Sequence, residues 1–440
     1  MPDFGRVSQI DASNFNVGTA YVSVRKPLLN DRSPYIFKTT DFGKTWTKIV
    51  NGIRADDFIH AVREDPTRKG LLYAAAQHGT YISYDDGTNW ESLRLNMPDV
   101  PVADLVVEAN ELVIATHGRG FWILDNIAPL RQASPAITAE DVHLFAPPAA
   151  VRGAAGAPIS YSLKTVPKRL TLQIVDSAGG IMRSFEPDTA LPDSAQAGRS
   201  GGRRGGGPNT IPRAVGFNRL NWDLRIASIE SFPGMILWGA GTNGPVVPPG
   251  KYTAKLIADG KTLTAPLVVK RNPRIADVTD AELRAQYLFG RKVRDKATEA
   301  NMAVIQIRRV KAQLEDRLKK AADDAALKAS GATLKTDATQ VEENVYQTKN
   351  QSGQDPLNFP IRVNNRIANL LSMSERGDGA PTTNMPQIFG ILTKELKGYQ
   401  DRLEIVWKTD LAAVNKELSR LKLPLIDPTC AKAEGCVVTP

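Results

Sequence analysis

An eight-residue pattern occurs twice in the first quarter of this 440-residue chain and constrains its fold more than any other feature. It reads Thr39-Thr40-Asp41-Phe42-Gly43-Lys44-Thr45-Trp46, and again Ser83-Tyr84-Asp85-Asp86-Gly87-Thr88-Asn89-Trp90. Both copies fit Ser/Thr-x-Asp-x-Gly-x-x-Trp. Aspartate is the usual side chain for bonding nearby backbone N–H groups, and glycine supplies a backbone conformation closed to other residues. Together they predict a tight turn between two strands, held by Thr39, Asp41 and Gly43 in one copy and Ser83, Asp85 and Gly87 in the other. Trp46 and Trp90 then leave the turns as apolar plates able to pack against a neighbouring unit.

A strand pattern precedes each octet, Tyr35-Ile36-Phe37 and Tyr81-Ile82, with another upstream at 19–24 and 71–74. A third copy, Leu112 to Leu124, keeps the strand–turn–strand half but has no Asp-Gly-Trp turn. Several strands per unit at a period of about 40–50 residues mark propeller blades. Residues 1–130 are therefore expected to form an all-β partial propeller of about three blades. Three blades do not close a ring, since propellers typically have four to eight. The sequence is accordingly expected to be the C-terminal portion of a longer protein, or to meet a partner that supplies further blades.

The octets resemble Asp-boxes (BNR repeats) of sialidases, xyloglucanase-type glycosidases and the sortilin family. With the closing run Ala115 to Asp125, the segment from Arg6 is similar to the last blades of bacterial sortilin-like proteins of the kind labelled glycosyl hydrolase. That resemblance implies a structural role for the octets on the outside of each blade, and an extracellular or periplasmic location.

A second domain is expected over 141–273. Short strands alternate with turns there, among them Leu170 to Val175, Gly216 to Leu224 and a hairpin about Asp259-Gly260, the spacing of a small β-sandwich. The Asn218–Leu224 run and the Pro249–Leu256 hairpin resemble immunoglobulin-like modules of secreted bacterial proteins, in which Trp222 packs between the sheets. Inside this domain the loop 195–213 is rich in glycine and arginine. With a net charge of +9 it invites a nucleic-acid reading. The loop contains no aromatic for base stacking, however, and reads as a soluble insertion, so nucleic acid is not the expected partner.

Residues 279–423 read as a helical bundle. Thr279-Asp280-Ala281-Glu282 is a capping box, and apolar residues from Leu283 to Leu318 recur at helical spacing. Gly331 is expected to close that first helix. A shorter helix through Val345, one carrying Ile367 to Leu371, and a last one opened by Pro386 and running to Leu421 complete four amphipathic segments. The tail 424–440 holds both cysteines, Cys430 and Cys436. Their spacing allows a local disulfide if the tail turns back, which suits an oxidising compartment. No apolar run approaches the length of a membrane span.

No catalytic constellation is evident. Glycosidases need two carboxyl groups flanking the bond, and Asp56, Asp57, Glu64, Asp65, Asp104 and Glu108 show no spacing that singles out a pair. No metal, cofactor or nucleophile motif is present. The candidate binding surface comprises His117 and Arg119 on the third blade, and Asn350, Gln354, Asp355 and Asn358 in the most polar stretch of the bundle. Two functions follow. One is a non-catalytic exported assembly or ligand-binding protein that presents these surfaces to a protein or glycan. The other is the C-terminal part of a propeller glycoside hydrolase, whose catalytic carboxylates lie in blades outside this sequence.

Overall fold

The computed structural model describes residues 1–154, 156–187 and 210–430. Its first 125 residues form three antiparallel up-and-down sheets. The first has β1 (Arg6–Ala12), β2 (Ala20–Lys26), β3 (Asp31–Thr39) and β4 (Thr47–Lys48) in that order. The second repeats it with β5 (Ile59–Glu64), β6 (Leu72–Ala76), β7 (Gly79–Ser83) and β8 (Glu91–Ser92). The third stops at three strands, β9 (Val102–Glu108), β10 (Glu111–Thr116) and β11 (Phe121–Asp125).

The sheets stack face to face as blades do. Residues alternating along β6 show why its sequence is a continuous apolar run. Leu72, Ala74 and Ala76 pack with Tyr21 and Ile36 of the first sheet, whereas Tyr73 and Ala75 pack with Leu105 and Leu112 of the third. A strand covered on both faces has no polar side to show. The chain is thus a partial propeller followed by a second β unit and helices.

Short helices at Ala128–Gln132 and Pro135–Ala139 lead to that second unit. There β12 (Val142–Leu144), β14 (Ala157–Leu163) and β17 (Gly216–Trp222) form one sheet. The other has β13 (Ala150–Val151), β19 (Lys261–Lys270), β18 (Gly250–Ala258), β15 (Leu170–Val175) and β16 (Ile181–Phe185), in that spatial order. Ile159, Tyr161 and Trp222 of the first sheet meet Leu172, Ala254, Leu256 and Leu267 of the second in one core. Residues 195–209 of the Gly/Arg-rich loop lie outside the described residues.

The helical part begins as its capping box predicts. Thr279 Oγ1 accepts from the Glu282 N–H at 3.2 Å, and Glu282 Oε2 accepts from the Thr279 N–H at 2.8 Å. The helix Asp280–Lys320 runs for 41 residues. It does not end at Gly331 as expected. It ends at Lys320, and Asp324 caps a new helix, Ala325–Val345, by accepting from the Leu327 N–H at 2.8 Å. Gly331 is buried inside that second helix, where an added Cβ would lie 3.1 Å from Leu314 Cδ1. The glycine serves close helix–helix approach, not termination.

Helices Val363–Ser374, Asn384–Val406 and Ala412–Arg420 complete the bundle, the last two joined by a π-helical turn at Trp407–Leu411. The last stretch of helix therefore opens at Asn384, two residues before the expected Pro386, which falls in the first turn where its missing N–H costs nothing. It also stops at Arg420. Part of the tail is strapped to the long helix, with Arg317 Nε donating to the Pro424 carbonyl at 2.9 Å and Gln313 Nε2 to that of Asp427 at 2.8 Å. Cys430 is buried. Its expected partner Cys436 lies outside the described residues.

Sandwich and bundle are joined by a buried polar knot. The Arg152 guanidinium donates to Asp378 at 2.9 Å, to the Val247 carbonyl at 2.8 Å and to Gln286. Gln286 Nε2 in turn donates to the carbonyls of Ser374 and Gly377, both at 2.7 Å. Arg225 donates to Glu375 at 2.6 Å beside it. The segment after β17 then lies along the bundle, where Asn365 accepts from the Trp238 N–H at 2.7 Å and donates to its carbonyl at 2.9 Å.

Candidate functional site: blade ends and open sheet faces

Each octet forms a closed turn. Asp41 Oδ1 accepts from the Thr45 N–H at 2.9 Å and from the Thr39 hydroxyl at 2.9 Å, and Thr39 Oγ1 accepts from the Gly43 N–H at 2.9 Å. Asp85 repeats this with the Asn89 N–H at 2.8 Å and the Ser83 hydroxyl at 2.9 Å, and Ser83 Oγ accepts from Gly87 at 2.9 Å. Gly43 and Gly87 have φ of 83° and 85°, as the turn requires. The Thr45 hydroxyl and N–H hold the Asp41 carboxyl below its usual range. Burial opposes the same change at Asp85, but bonds from Asn89 outweigh it. All the chemistry of these aspartates is spent inside the turn.

The two tryptophans diverge. Trp90 is buried between the first and second blades, and its Nε1 donates to the Ile49 carbonyl of the first blade at 3.0 Å. Trp46, at the same place in its own octet, donates instead to Gly43 of its own turn at 3.0 Å. It is only partly covered and rests on Val22, Val24 and Phe37, the outer face of the first blade. Beside it on that face, Val7 is 47% and Ile10 63% exposed.

The far face of the array is also open. Val106 of β9, Ile123 of β11 and Phe121 at its start are 47%, 54% and 79% exposed. Val113 pairs with both Val106 and Ile123, so these side chains share one face. At one end of it Glu111 stands in register with Glu108 on one side and Asp125 on the other. None of the three is ion-paired among the described residues. Like charges directly opposite one another destabilise a sheet.

Three of the four histidines gather at the β1/β2-turn-distal ends of the blades, where β2, β6 and β10 finish. Arg25 Nη1 lies 2.9 Å from His60 Nδ1, and His60 Nε2 lies 3.3 Å from Gln77 Oε1. Arginine can only donate, so Nδ1 accepts and the proton sits on Nε2, directed at Gln77. Burial holds the His60 pKa below its ordinary value, and the charges of Arg25 and His117 add to this, against opposing effects from Gln77 and Asp57. Stability from this neutral ring is complete above the unfolded value of about 6.5 and is lost as pH falls toward the lower folded value. The unfolding midpoint of the protein is expected to fall between pH 7 and pH 5 by more than that of His60→Gln, which has no titrating ring there. Equal slopes in parallel thermal melts would show that His60 contributes nothing.

His78 Nδ1 and Asp99 Oδ1 approach to 2.9 Å on the same side. His117 and Arg119 are exposed in the β10–β11 turn, where the His117 N–H donates to the Pro101 carbonyl at 2.8 Å. Sequence reasoning singled out His117 and Arg119 and missed Arg25, His60 and Gln77. The available signal was position, since each stands at the end or beginning of a blade strand. The other candidate residues, Asn350, Gln354, Asp355 and Asn358, lie in a different domain, and no hydrogen bond joins them to His117 or Arg119 among the described residues. Asp355 accepts from the N–H groups of Gln351 and Ser352 at 2.6 and 2.8 Å, which holds its carboxyl below the usual range. Asn358 donates its N–H to the Asp355 carbonyl at 2.8 Å, and the Gln354 N–H approaches the Ser352 hydroxyl at 3.4 Å. Asn350 Oδ1 is buried without a hydrogen-bond partner among the described residues. This loop mostly organises itself.

Five of the six candidate carboxylates are likewise engaged among the described residues, Glu108 being the exception. Asp57 is buried and accepts from the Tyr81 hydroxyl at 2.9 Å and the His78 N–H at 2.8 Å. Asp65 accepts from Arg131 at 2.8 Å and Thr67 at 2.8 Å. Asp56 pairs with Arg54, and Asp104 with Arg63 at 3.4 Å. Glu64 accepts from the Gly70 N–H at 3.0 Å through one oxygen.

No family model matches the chain, and no curated protein does. Among solved structures, YCF48 bound to D1 peptide matches at 13% identity and a TM-score of 0.22, over 42% of this chain and 57% of that one. The GH74 xyloglucanase from Xanthomonas campestris matches at 15% identity and 0.23, over 60% of this chain and 43% of that one. The Niastella koreensis GH74 enzyme matches at 13% and 0.23, over 60% of this chain and 38% of that one. The chain thus spans less than two thirds of each. Scores of this size carry no argument, and the blade reading stands on the strand order and shared cores described above. No described helix is long and apolar enough to cross a membrane.

Proposed function

We propose that this protein is a non-catalytic, exported assembly protein whose open propeller faces receive further blades from another chain. The observation that carries this is the contrast between Trp90 and Trp46. The same octet position docks onto the preceding blade in the second repeat, and in the first repeat it turns back on itself. The partner is a sheet of the same kind, apolar at its centre. Where it meets the third blade it brings lysine or arginine to Glu108, Glu111 and Asp125. The octets act as Asp-box turns that brace the first two blades, and the sandwich is an immunoglobulin-like spacer toward the bundle. The strand ends around His60, His117 and Arg119 are where a glycan or peptide would be met.

The test is the native mass of the protein, taken from its source, before and after Ile10→Asp and Phe121→Asp. Both side chains are exposed, so the isolated fold tolerates the change. A native mass above that of one chain, reduced to one chain by either substitution, is the expected result. A wild-type protein that runs as a single chain with no bound partner would sink the reading. Aryl glycosides are expected to be left intact.

A further inference from the structure

The long helix Asp280–Lys320 and the helix Asn384–Val406 leave a cleft of about 340 Å³ between them, far along the chain from the blade faces used above. Its apolar floor includes Met302, Leu403 and Trp407, and its rim carries Glu299, Gln306, Gln400 and Glu404. The volume lies at the small end of the range of small-molecule sites.

Trp407 shares one helix face with Gln400, Leu403 and Glu404, seven, four and three residues before it, and a π-helical turn begins at it. Val406 and Leu411 are both buried, five residues apart. An unbroken α-helix would bring Asp410 into the core beneath Leu403 and Val406, at i+7 and i+4. Inserting one residue sends Leu411 inward in its place and keeps Asp410 out of the core. Trp407 opens this turn and lines the cleft at its side. Such turns occur frequently at functional sites.

The rim is polar, and its two carboxylates are each matched by a lysine. Lys296 Nζ pairs with Glu299 at 2.6 Å and Lys408 Nζ with Glu404 at 2.6 Å. A charged ligand of either sign would therefore meet one attracting and one repelling group at each edge. What suits the cleft is an uncharged molecule with an apolar face and a periphery of hydroxyls. The tryptophan plate takes the apolar face. The carboxylates accept from hydroxyls, and the two glutamine amides both donate and accept. A neutral pyranose has this form, with C–H groups on one face and hydroxyls around its edge.

We propose that the cleft beside Trp407 is a binding site for a neutral saccharide. It is independent of blade assembly. Calorimetric titration of the full chain with maltotriose, cellotriose and chitotriose, and with 3′-sialyllactose as an acidic probe, tests it. At least one neutral trisaccharide is expected to bind, and Trp407→Ala to weaken it about tenfold or more, as the loss of an aromatic anchor does. Trp407→Phe is expected to keep most of the affinity. Gln400→Ala, on a partly exposed helix face, supplies a variant that folds even if Trp407→Ala does not, and is expected to weaken binding as well. The proposal is overturned if no neutral trisaccharide binds, if only the acidic one does, or if binding is indifferent to both Trp407→Phe/Ala exchange and Gln400→Ala.

Discussion

Arg152→Ala is expected to destabilise the junction of sandwich and bundle by about 3–5 kcal/mol, the usual consequence of removing one partner of a buried charged pair. Arg152 is almost wholly buried and ties four groups together, the carboxylate of Asp378, the amide of Gln286 and the carbonyls of Val246 and Val247. Its loss strands all of them in a site with little water to replace it. Urea unfolding of the wild type and the variant, followed by circular dichroism, reads the effect as a lower midpoint. Asp378→Ala alone should cost less, because Asp378 is nearer solvent. The double variant should cost less than the sum of the two, since the residues share one network. Strict additivity would mean that Arg152 acts through its carbonyl contacts and not through the ion pair.

The second large effect belongs to Trp222→Ala, for which about 3–5 kcal/mol is expected. The indole is fully buried between the two sheets of the sandwich, edge-on to Tyr252 with ring centroids 5.9 Å apart. Its Nε1 donates to the Arg225 carbonyl at 2.8 Å, closing the corner where the chain leaves β17. Trp222→Phe keeps most of the volume but gives up that hydrogen bond, so its cost should be smaller. Denaturant midpoints for the three proteins check this order, and equal midpoints for Trp222→Ala and Trp222→Phe would refute it.

The sequence made legible what is local. The octets signalled turns because the bonds of Asp41 and Asp85 that close them fall within a few residues, from Asp41 to Thr45 and from Asp85 to Asn89. The Thr279–Glu282 box announced its helix for the same reason. Trp222 was expected between the sheets from the resemblance of its run to immunoglobulin-like modules, and it is fully buried there. What stayed hidden depends on distant partners. Gly331 read as a helix stop because a glycine's backbone freedom is visible in sequence, whereas the leucine side chains it makes room for are not. Arg152 and Asp378 stand 226 residues apart, and no periodicity links them. The π-helical turn left a faint mark, the five-residue step between Val406 and Leu411, in a segment otherwise spaced by three and four.

Of the candidate surface, His117 and Arg119 were singled out because the third repeat lacks the Asp-Gly-Trp turn. His60 was passed over because its meaning comes from Arg25, which arrives from another blade. The open sheet faces were foreseen only as a deficit in blade number. Their chemistry, apolar at the centre with unpaired acids at one end of the third blade, emerged only once the register of β9, β10 and β11 was known.

The length of the first bundle helix has a mechanical consequence. Forty-one residues at 1.5 Å each make a rod of about 60 Å. Gln286, near its beginning, is locked into the Arg152 knot, and further on Asn301 donates to the Glu230 carbonyl at 2.7 Å, so the rod is held at its base and again midway. Its far end, near Lys320, is held some 50 Å from the knot, at 1.5 Å for each intervening residue. The tip is thereby kept at a fixed stand-off from the sandwich, and a load applied there is shared between the knot and the contact at Asn301.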